Sequence, residues 1–179
     1  MAGKKKKTKK AVSKARPAPK KAAKKKVSPV PEGYSTVTPH LVLRGAARAI
    51  EFYKKAFGAQ ERMRMGGPDG NIGHAELQIG NSIVMCADES PQLGSSAPET
   101  VGGTSVHIFL YVPNVDKVFA MATAAGAKVD MPLTDMFWGD RYGKLSDPFG
   151  HKWSMATHIE DVSPKEMERR AAAWAAQQQ

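Results

Sequence analysis

Three histidines and one glutamate, His40, His74, Glu76 and His107, have side chains that could carry chemistry in this sequence. They stand on segments in which apolar and polar residues alternate, as in strands that bury one side. The apolar set of GHAELQIG leaves His74 and Glu76 on the other side, and SVHIFLYV does the same for His107 and Phe109. We therefore expect these side chains to face one cavity, where imidazole and carboxylate groups suit a divalent metal.

Each of these groups has a second interpretation. Glu76 is a candidate general base, because burial would raise the pKa of its carboxyl group. The alternative is an ion pair between Glu76 and an arginine such as Arg141. The alternative for the histidines is that they are neutral rings that hydrogen-bond to neighbours or to a ligand.

The motif FWGDRYG carries a second candidate binding set. Trp138, Asp140 and Tyr142 share one parity on their strand and combine a stacking surface, a carboxylate and a phenol. This combination favours an aromatic or a cationic ligand. The structural alternative is that Trp138 closes the cavity by packing and Asp140 caps a turn.

Several other chemistries find no support in the sequence. The only cysteine, Cys86, shares the parity of Val84 and is interpreted as a buried thiol. The sequence has no Ser-His-Asp signature, phosphate-binding loop or dinucleotide motif. No run approaches the roughly 18 apolar residues of a membrane-spanning helix. We expect a cytoplasmic protein in a reducing compartment.

The elements that position these residues occur twice. A strand at His40 precedes the helical segment AARAIEFYKKAFG, and a strand at His107 precedes NVDKVFAMATAAG. Both segments have apolar residues at helical spacing and end with a glycine. Three further strands follow each helix, and GNSIVM at 80–85 aligns with GHKWSM at 150–155. The sequence therefore predicts an α+β fold in which two tandem βαβββ modules form a cupped sheet that binds a small ligand.

Charge divides the chain into a tail and a globular part. Of 27 Lys and Arg residues, 13 fall in residues 1–26, which contain no acid; the remainder has 14 basic against 17 acidic residues, a net charge of −3. The tail has almost no residues that could form a core, which predicts disorder over residues 1–33. A globular domain is expected over 34–162 and a C-terminal amphipathic helix over 163–179.

The lysines of the tail are candidates for anchoring the protein to a polyanion such as nucleic acid, without reading its sequence. A solubility tail or a nuclear-type import signal would have a similar composition. The lysines are Lys4, Lys5, Lys6, Lys7, Lys9, Lys10, Lys24, Lys25 and Lys26.

Two other segments have predicted roles. Residues 88–103 join the halves, either as a lid over the cup or as an ordinary linker. Residues 163–166, Ser-Pro-Lys-Glu, form a capping box with proline at the first helical position, which predicts the start of the C-terminal helix. This helix is expected to pack on the domain or on a second subunit through a stripe of Met167, Arg170, Ala171 and Trp174.

Three stretches together resemble the vicinal oxygen chelate superfamily, in its PhnB-like branch of glyoxalase and bleomycin-resistance relatives. They are TPHLVLRGAARAIEFYKKAFGA, PDGNIGHAELQIGNSIVMCADE and FWGDRYGKLSDPFGHKWSMATH, and they cover roughly residues 36–162. The resemblance implies a homodimer and a small molecule bound in the cup, as in bleomycin-resistance proteins that sequester a drug or metabolite.

Enzymes of this superfamily hold a divalent metal with one residue from each of four strands, usually His or Gln, Glu, His and Glu. Carried over residue by residue, the first position falls on Thr38, with His40 as a possible substitute, and the third on His107. The two glutamate positions fall on Met85 and Ser154. The resemblance thus implies binding without the usual metal and without another cofactor. The alternative is a glyoxalase- or dioxygenase-type metalloenzyme with a relocated site, built from the four side chains named first.

Overall fold

The computed structural model describes residues 27–67 and 69–177, and Gly3 before them. The nine candidate lysines of the tail lie outside the described residues. The first module consists of β1 (His40–Leu43), α1 (Ala46–Phe57), β2 (Gln60–Gly66), β3 (Ile72–Ile79) and β4 (Ser82–Asp88). The linker contains a short 3-10 turn (Pro91–Leu93) and α2 (Pro98–Val101). The second module consists of β5 (His107–Tyr111), α3 (Val115–Ala124), β6 (Lys128–Asp135), β7 (Asp140–Ser146) and β8 (Lys152–His158), and α4 (Pro164–Ala176) follows it.

Each module forms one four-stranded mixed sheet, in the order β1-β4-β3-β2 or β5-β8-β7-β6. The first strand of each module pairs in parallel with the last, and the other pairs are antiparallel. This architecture confirms the predicted α+β fold of two tandem βαβββ modules. The predicted alignment of 80–85 with 150–155 agrees with the strand bounds, since β4 and β8 are each seven residues long and begin two residues after Gly80 and Gly150. The pairing register of the first strands differs by three residues, because His40 lies opposite Met85 whereas His107 lies opposite Lys152.

Helices α1 and α3 each cover one side of their sheet. The buried stripe of α1 includes Ile50, Tyr53 and Phe57, and Gly58 ends the helix in the left-handed conformation. Asn114 begins α3 and accepts a hydrogen bond from the backbone N–H of Lys117. Because α1 and α3 also contact each other, one continuous hydrophobic core joins the two modules. Burial of each large apolar side chain in this core contributes roughly 1.5–3 kcal/mol before conformational entropy is counted.

Asp147 links the modules through buried hydrogen bonds. Its Oδ2 atom accepts one from the Tyr53 hydroxyl of α1, at 2.7 Å, and one from the Trp153 indole of β8, at 3.0 Å. Its Oδ1 atom accepts the backbone N–H groups of Phe149 and His151, both at 2.9 Å. Burial and the Asp147 carboxylate raise the pKa of Tyr53 far above its usual range, so Tyr53 remains a donor. Asp147 therefore organises both its own turn and the contact between modules.

The side of each sheet that faces away from the helices is called the open face. Trp153 and Met155 lie on the helix side and are buried. Cys86 is also buried, and desolvation raises the pKa of its thiol to about 11, so it stays protonated. Val106 precedes β5 and is 64% exposed.

Helix α4 begins at Pro164 behind the predicted cap, with Ser163 accepting a hydrogen bond from the Glu166 N–H. The ring of Trp174 lies 5.7 Å from that of Phe137, and Trp174 remains 44% exposed. The helix therefore contacts its own domain, while the homodimer remains a prediction. In the described part of the chain, no helix combines the length and apolar character that crossing a membrane requires.

Candidate functional site

Three of the four candidate polar residues come together on the open face of the first sheet. The Nε2 atom of His74 lies 3.4 Å from Oε1 of Glu76, and the ring centroids of His40 and His74 are 6.2 Å apart. Burial and the neighbouring His74 lower the pKa of His40. His40 is therefore a neutral ring at neutral pH, available as a hydrogen-bonding group.

The pKa of Glu76 is lowered, whereas the sequence-based hypothesis of a general base requires it to be raised. The hydroxyl of Tyr34 is the main cause that lowers the pKa of Glu76, with His74 and Arg62 adding to it, and together they outweigh the burial that would raise it. The carboxylate is thus held ionised. Arg141 is not its partner, because Arg141 binds Asp116 at 2.7 Å and Asp135 at 2.9 Å. Tyr34 lies before β1 and gave no periodic signal in the sequence.

His107 stands apart from this trio. It lies on the second sheet, exposed, and pairs through the backbone with Lys152. Among the described residues, no hydrogen bond, ion pair or ring contact joins His107 to His40, His74 or Glu76. His107 lies on a strand, as the sequence predicts. The expected convergence of His107 with His40, His74 and Glu76 is not observed in these contacts.

The residues present do not fit the metal that enzymes of the vicinal oxygen chelate type hold. Met85 lies beside His40 on β4, so a thioether stands where those enzymes have a carboxylate. Ser154 occupies the other glutamate position, and its hydroxyl lies 3.0 Å from that of Tyr142. Within residues 27–67 and 69–177, no group of three or more His, Cys, Asp or Glu side chains is arranged to hold a metal ion. Carboxylate and imidazole ligands of one cation must converge within about 2.0–2.2 Å of it, as zinc sites illustrate.

Four aromatic residues form a continuous surface, here called the aromatic platform: Phe109, Tyr111, Trp138 and Tyr142. Trp138 lies in the turn before β7 and not on the strand as expected, whereas the other three lie on the second sheet. The ring of Phe109 lies 4.7 Å from Tyr111 and stacks on Tyr142 at 5.7 Å, and Trp138 meets Tyr142 edge-on at 5.6 Å. Phe109 is 47% exposed and Tyr111 is 61% exposed, whereas Tyr142 is buried beneath them. The platform thus presents two aromatic side chains to solvent and supports them with two more.

Asp140 holds the platform in place. Its Oδ2 atom accepts hydrogen bonds from the Tyr111 hydroxyl at 2.9 Å and from the Trp138 indole at 3.0 Å. Its Oδ1 atom lies 2.8 Å from Nδ1 of His158, and Asp140 with Asp161 raises the pKa of that histidine. Asp140 is only 3% exposed, and both of its carboxylate oxygens already have hydrogen-bond partners. The carboxylate therefore positions the platform and is not free to bind a cationic ligand.

The sequence indicates Trp138, Asp140 and Tyr142. The parity of SVHIFLYV also places Tyr111 on the side of Phe109, but it does not predict the hydrogen bond from Tyr111 to Asp140. His158, the last residue of β8, has no sequence pattern that connects it with Asp140. The structure thus shows that Trp138 has a packing role as well as a place in an aromatic surface.

Among the described residues, β5 runs along three cavities between the modules. A cavity of about 370 Å³ is lined by His40 and Val42 of β1, by the linker and by Ile108. A second, of about 220 Å³, is lined by Phe109 and by the β3–β4 hairpin. A third, of about 460 Å³, borders both Phe109 and Tyr111. The aromatic platform therefore adjoins concave spaces on the side of the first module.

The linker forms one wall of the cavity of about 370 Å³ at β1, through Pro98 and Val101 of α2. Glu89 fixes this segment: hydrogen bonds from the Thr100 hydroxyl, the Ala97 N–H and the Arg44 guanidinium lower the pKa of Glu89 to about 2. The linker thus forms a wall of this cavity in addition to joining the two modules.

The fold and the positions just described agree with one family of known proteins. The family model of the glyoxalase/bleomycin resistance protein/dioxygenase superfamily matches residues 37–155, a range that begins before β1 and ends within β8. The chain belongs to this superfamily. The match confirms the resemblance that the three stretches indicated, and it agrees with the tandem βαβββ architecture.

Relatives of this superfamily member include proteins from several bacteria. An uncharacterised protein of Mycobacterium tuberculosis is 47% identical over 135 residues, which is 74% of this chain and 79% of that protein. Among solved structures, TioX from Micromonospora sp. ML1 is 33% identical with a TM-score of 0.57, over 70% of this chain and 99% of that chain. A PhnB protein from Bacillus cereus, described as a putative 3-demethylubiquinone-9 3-methyltransferase, is 20% identical with a TM-score of 0.54, over 69% of this chain and 99% of that chain. The last likeness shows the fold alone.

Proposed function

We propose that this superfamily member binds a small planar aromatic molecule on the aromatic platform, as a sequestering protein that does not use the metal of the enzymes in the superfamily. The observation that carries the proposal is the state of Phe109 and Tyr111. Both are well exposed, yet ring contacts and the hydrogen bond to Asp140 hold them in fixed positions. A prearranged aromatic surface loses little conformational entropy when a flat ligand stacks on it.

The size of the neighbouring spaces supports this proposal. Two cavities border Phe109, and the larger, of about 460 Å³, falls within the range of roughly 300–1,000 Å³ typical of small-molecule sites. Each favourable aromatic pair adds about 0.5–1.5 kcal/mol beyond the apolar area that it buries. A ligand stacked on the platform would extend naturally toward these cavities.

Truncation of the platform should weaken ligand binding. With naphthalene-2-carboxamide as the neutral probe, we expect Phe109→Ala to lower affinity at least tenfold, because the exposed stacking ring is lost. Tryptophan fluorescence and calorimetric titration would measure it. The matched control is Tyr34→Ala, which removes an aromatic side chain near the first sheet and should leave the affinity unchanged. Equal losses in both variants, or none in Phe109→Ala, would count against the platform as the site.

A metal measurement tests the alternative of a relocated metalloenzyme site. Untagged protein is incubated with Ni, Zn, Fe or Mn in turn, desalted exhaustively and analysed by mass spectrometry. We expect far less than one metal ion per chain, because Met85 and Ser154 replace the two carboxylates. Near-stoichiometric metal that disappears in His107→Ala would instead favour a glyoxalase- or dioxygenase-type enzyme.

The basic tail supports a second, compatible role, the anchoring of the domain to a polyanion. Residues 1–26 carry thirteen positive charges, while the remainder of the chain has a net charge of −3. Deletion of residues 1–26 should abolish salt-sensitive retention on a DNA column without changing the melting temperature, because phosphate binding releases counterions and needs no core residue. Retention of the shortened protein at the same salt concentration would remove the anchor hypothesis.

A further inference from the structure

The open face of the second sheet places an ammonium group beside the aromatic platform. Strand pairing sets Phe109 of β5, Ser154 of β8 and Lys144 of β7 in one row across the sheet. Neighbouring strands are about 4.8 Å apart, so the row from Phe109 to Lys144 spans about 10 Å. The Nζ atom of Lys144 lies 6.0 Å from the ring centroid of Tyr142, on which Phe109 stacks.

The charge of Lys144 is uncompensated within the described part of the chain. No carboxylate there lies within ion-pair distance of its Nζ atom, whereas the nearby Lys152 is bound to Asp130 at 2.9 Å. Asp140, the acidic group of the platform, is buried and occupied by its three donors. The charge available to a ligand at this surface is therefore positive.

The two hydroxyl groups near the centre of the row do not need a hydrogen bond from a ligand. The hydroxyls of Tyr142 and Ser154 satisfy each other at 3.0 Å, and Ser154 is only 3% exposed. Because Ser154 is buried, a ligand ring would stack on the exposed side of Phe109, which is 47% exposed. From there, one substituent of the ring can extend along the row toward the ammonium group of Lys144.

We infer that the ligand of the platform is a planar aromatic anion, an aryl carboxylate or a group of similar charge, whose ring stacks on Phe109 and whose anionic group pairs with Lys144. This inference rests on the proposed function, since it names the ligand class of the same site. A cationic ligand, the other class that the motif FWGDRYG favoured, has no free carboxylate to meet there.

Two probes of equal shape test this inference, naphthalene-2-carboxylate and naphthalene-2-carboxamide. Calorimetric titration of the full-length protein should show at least tenfold tighter binding of the carboxylate at low salt, because the charged pair adds to the same stacking contact. Lys144→Gln should reduce the affinity for the carboxylate about tenfold and leave the carboxamide unchanged. Lys117→Gln, on helix α3, is the control and should alter neither affinity. Circular dichroism establishes that both variants fold.

The outcomes separate the inference from the proposed function. If both probes bind equally, and both lose affinity in Phe109→Ala, the platform is the site but the preference for an anion is wrong. If the carboxylate preference survives in Lys144→Gln, another cation is responsible and the assignment of Lys144 fails. If neither probe binds to the platform, the proposed function and the inference fail together.

Discussion

Asp147→Ala is expected to lower the free energy of unfolding by about 3–5 kcal/mol, because it leaves several buried donors without an acceptor. The donors are the Tyr53 hydroxyl, the Trp153 indole and two backbone N–H groups of the β7–β8 turn. Loss of the carboxylate would disturb the turn and the contact between modules at once. Urea unfolding followed by circular dichroism and tryptophan fluorescence measures the effect.

Two variants control this prediction. Asp135→Ala removes a carboxylate that is 65% exposed and bound to Arg141, and it should cost at most about 1 kcal/mol. Tyr53→Phe removes one of the donors to Asp147, and in a double-mutant cycle with Asp147→Ala it should show coupling of about 1 kcal/mol or more. Independent effects of the two substitutions would mean that Asp147 stabilises only its own turn.

Gly139→Ala is expected to be the second most damaging substitution, with a loss of about 3 kcal/mol or more. Gly139 has a φ angle of +93°, and a Cβ atom there would collide with the backbone carbonyl oxygen of Glu160. The carbonyl of Gly139 accepts hydrogen bonds from the N–H groups of Ile159 and Glu160. Displacement of this contact would also move Trp138 and Asp140, which flank the glycine. Thermal unfolding and affinity for the naphthalene probes measure the two consequences.

Gly58→Ala isolates the backbone part of this effect. Gly58 also has a positive φ angle, +66°, but a Cβ atom there would have no heavy atom within 4 Å. It should therefore cost only the left-handed penalty of roughly 1–2 kcal/mol. A loss in Gly139→Ala no larger than in Gly58→Ala would show that the segment at Glu160 moves aside without cost.

The fold could be predicted because its information is local and is repeated. Helical spacing, glycine at the helix ends and alternation in the strands identify a βαβββ unit in each half. The alignment of 80–85 with 150–155 also agrees with the bounds of β4 and β8. The pairing register of β1 and β5 could not be predicted, because it depends on contacts between strands that are far apart in the chain: His40 lies opposite Met85, whereas His107 lies opposite Lys152.

The candidate site was predicted in part, for a related reason. Strand parity correctly places His74, Glu76 and Phe109 on open faces, because parity depends only on neighbouring residues. Parity gives no information on how the two sheets are placed relative to each other. It therefore could not predict that, within the described part of the chain, His107 makes no contact with His40, His74 or Glu76. The partners that set the pKa of Glu76 and hold Asp140 come from distant segments, as with Tyr34 and His158.

The junction around Asp147 bears on how a repeated unit becomes one protein. The rings of Phe57 and Trp153 lie 4.4 Å apart across the two repeats, and the hydroxyl of Tyr53 reaches a carboxylate in the other repeat. A single repeat would expose these apolar surfaces to water, unless it associated with a second copy. Fusion of two such units turns that association into an intramolecular event and frees each open face to diverge, one toward histidines and a glutamate, the other toward aromatic rings.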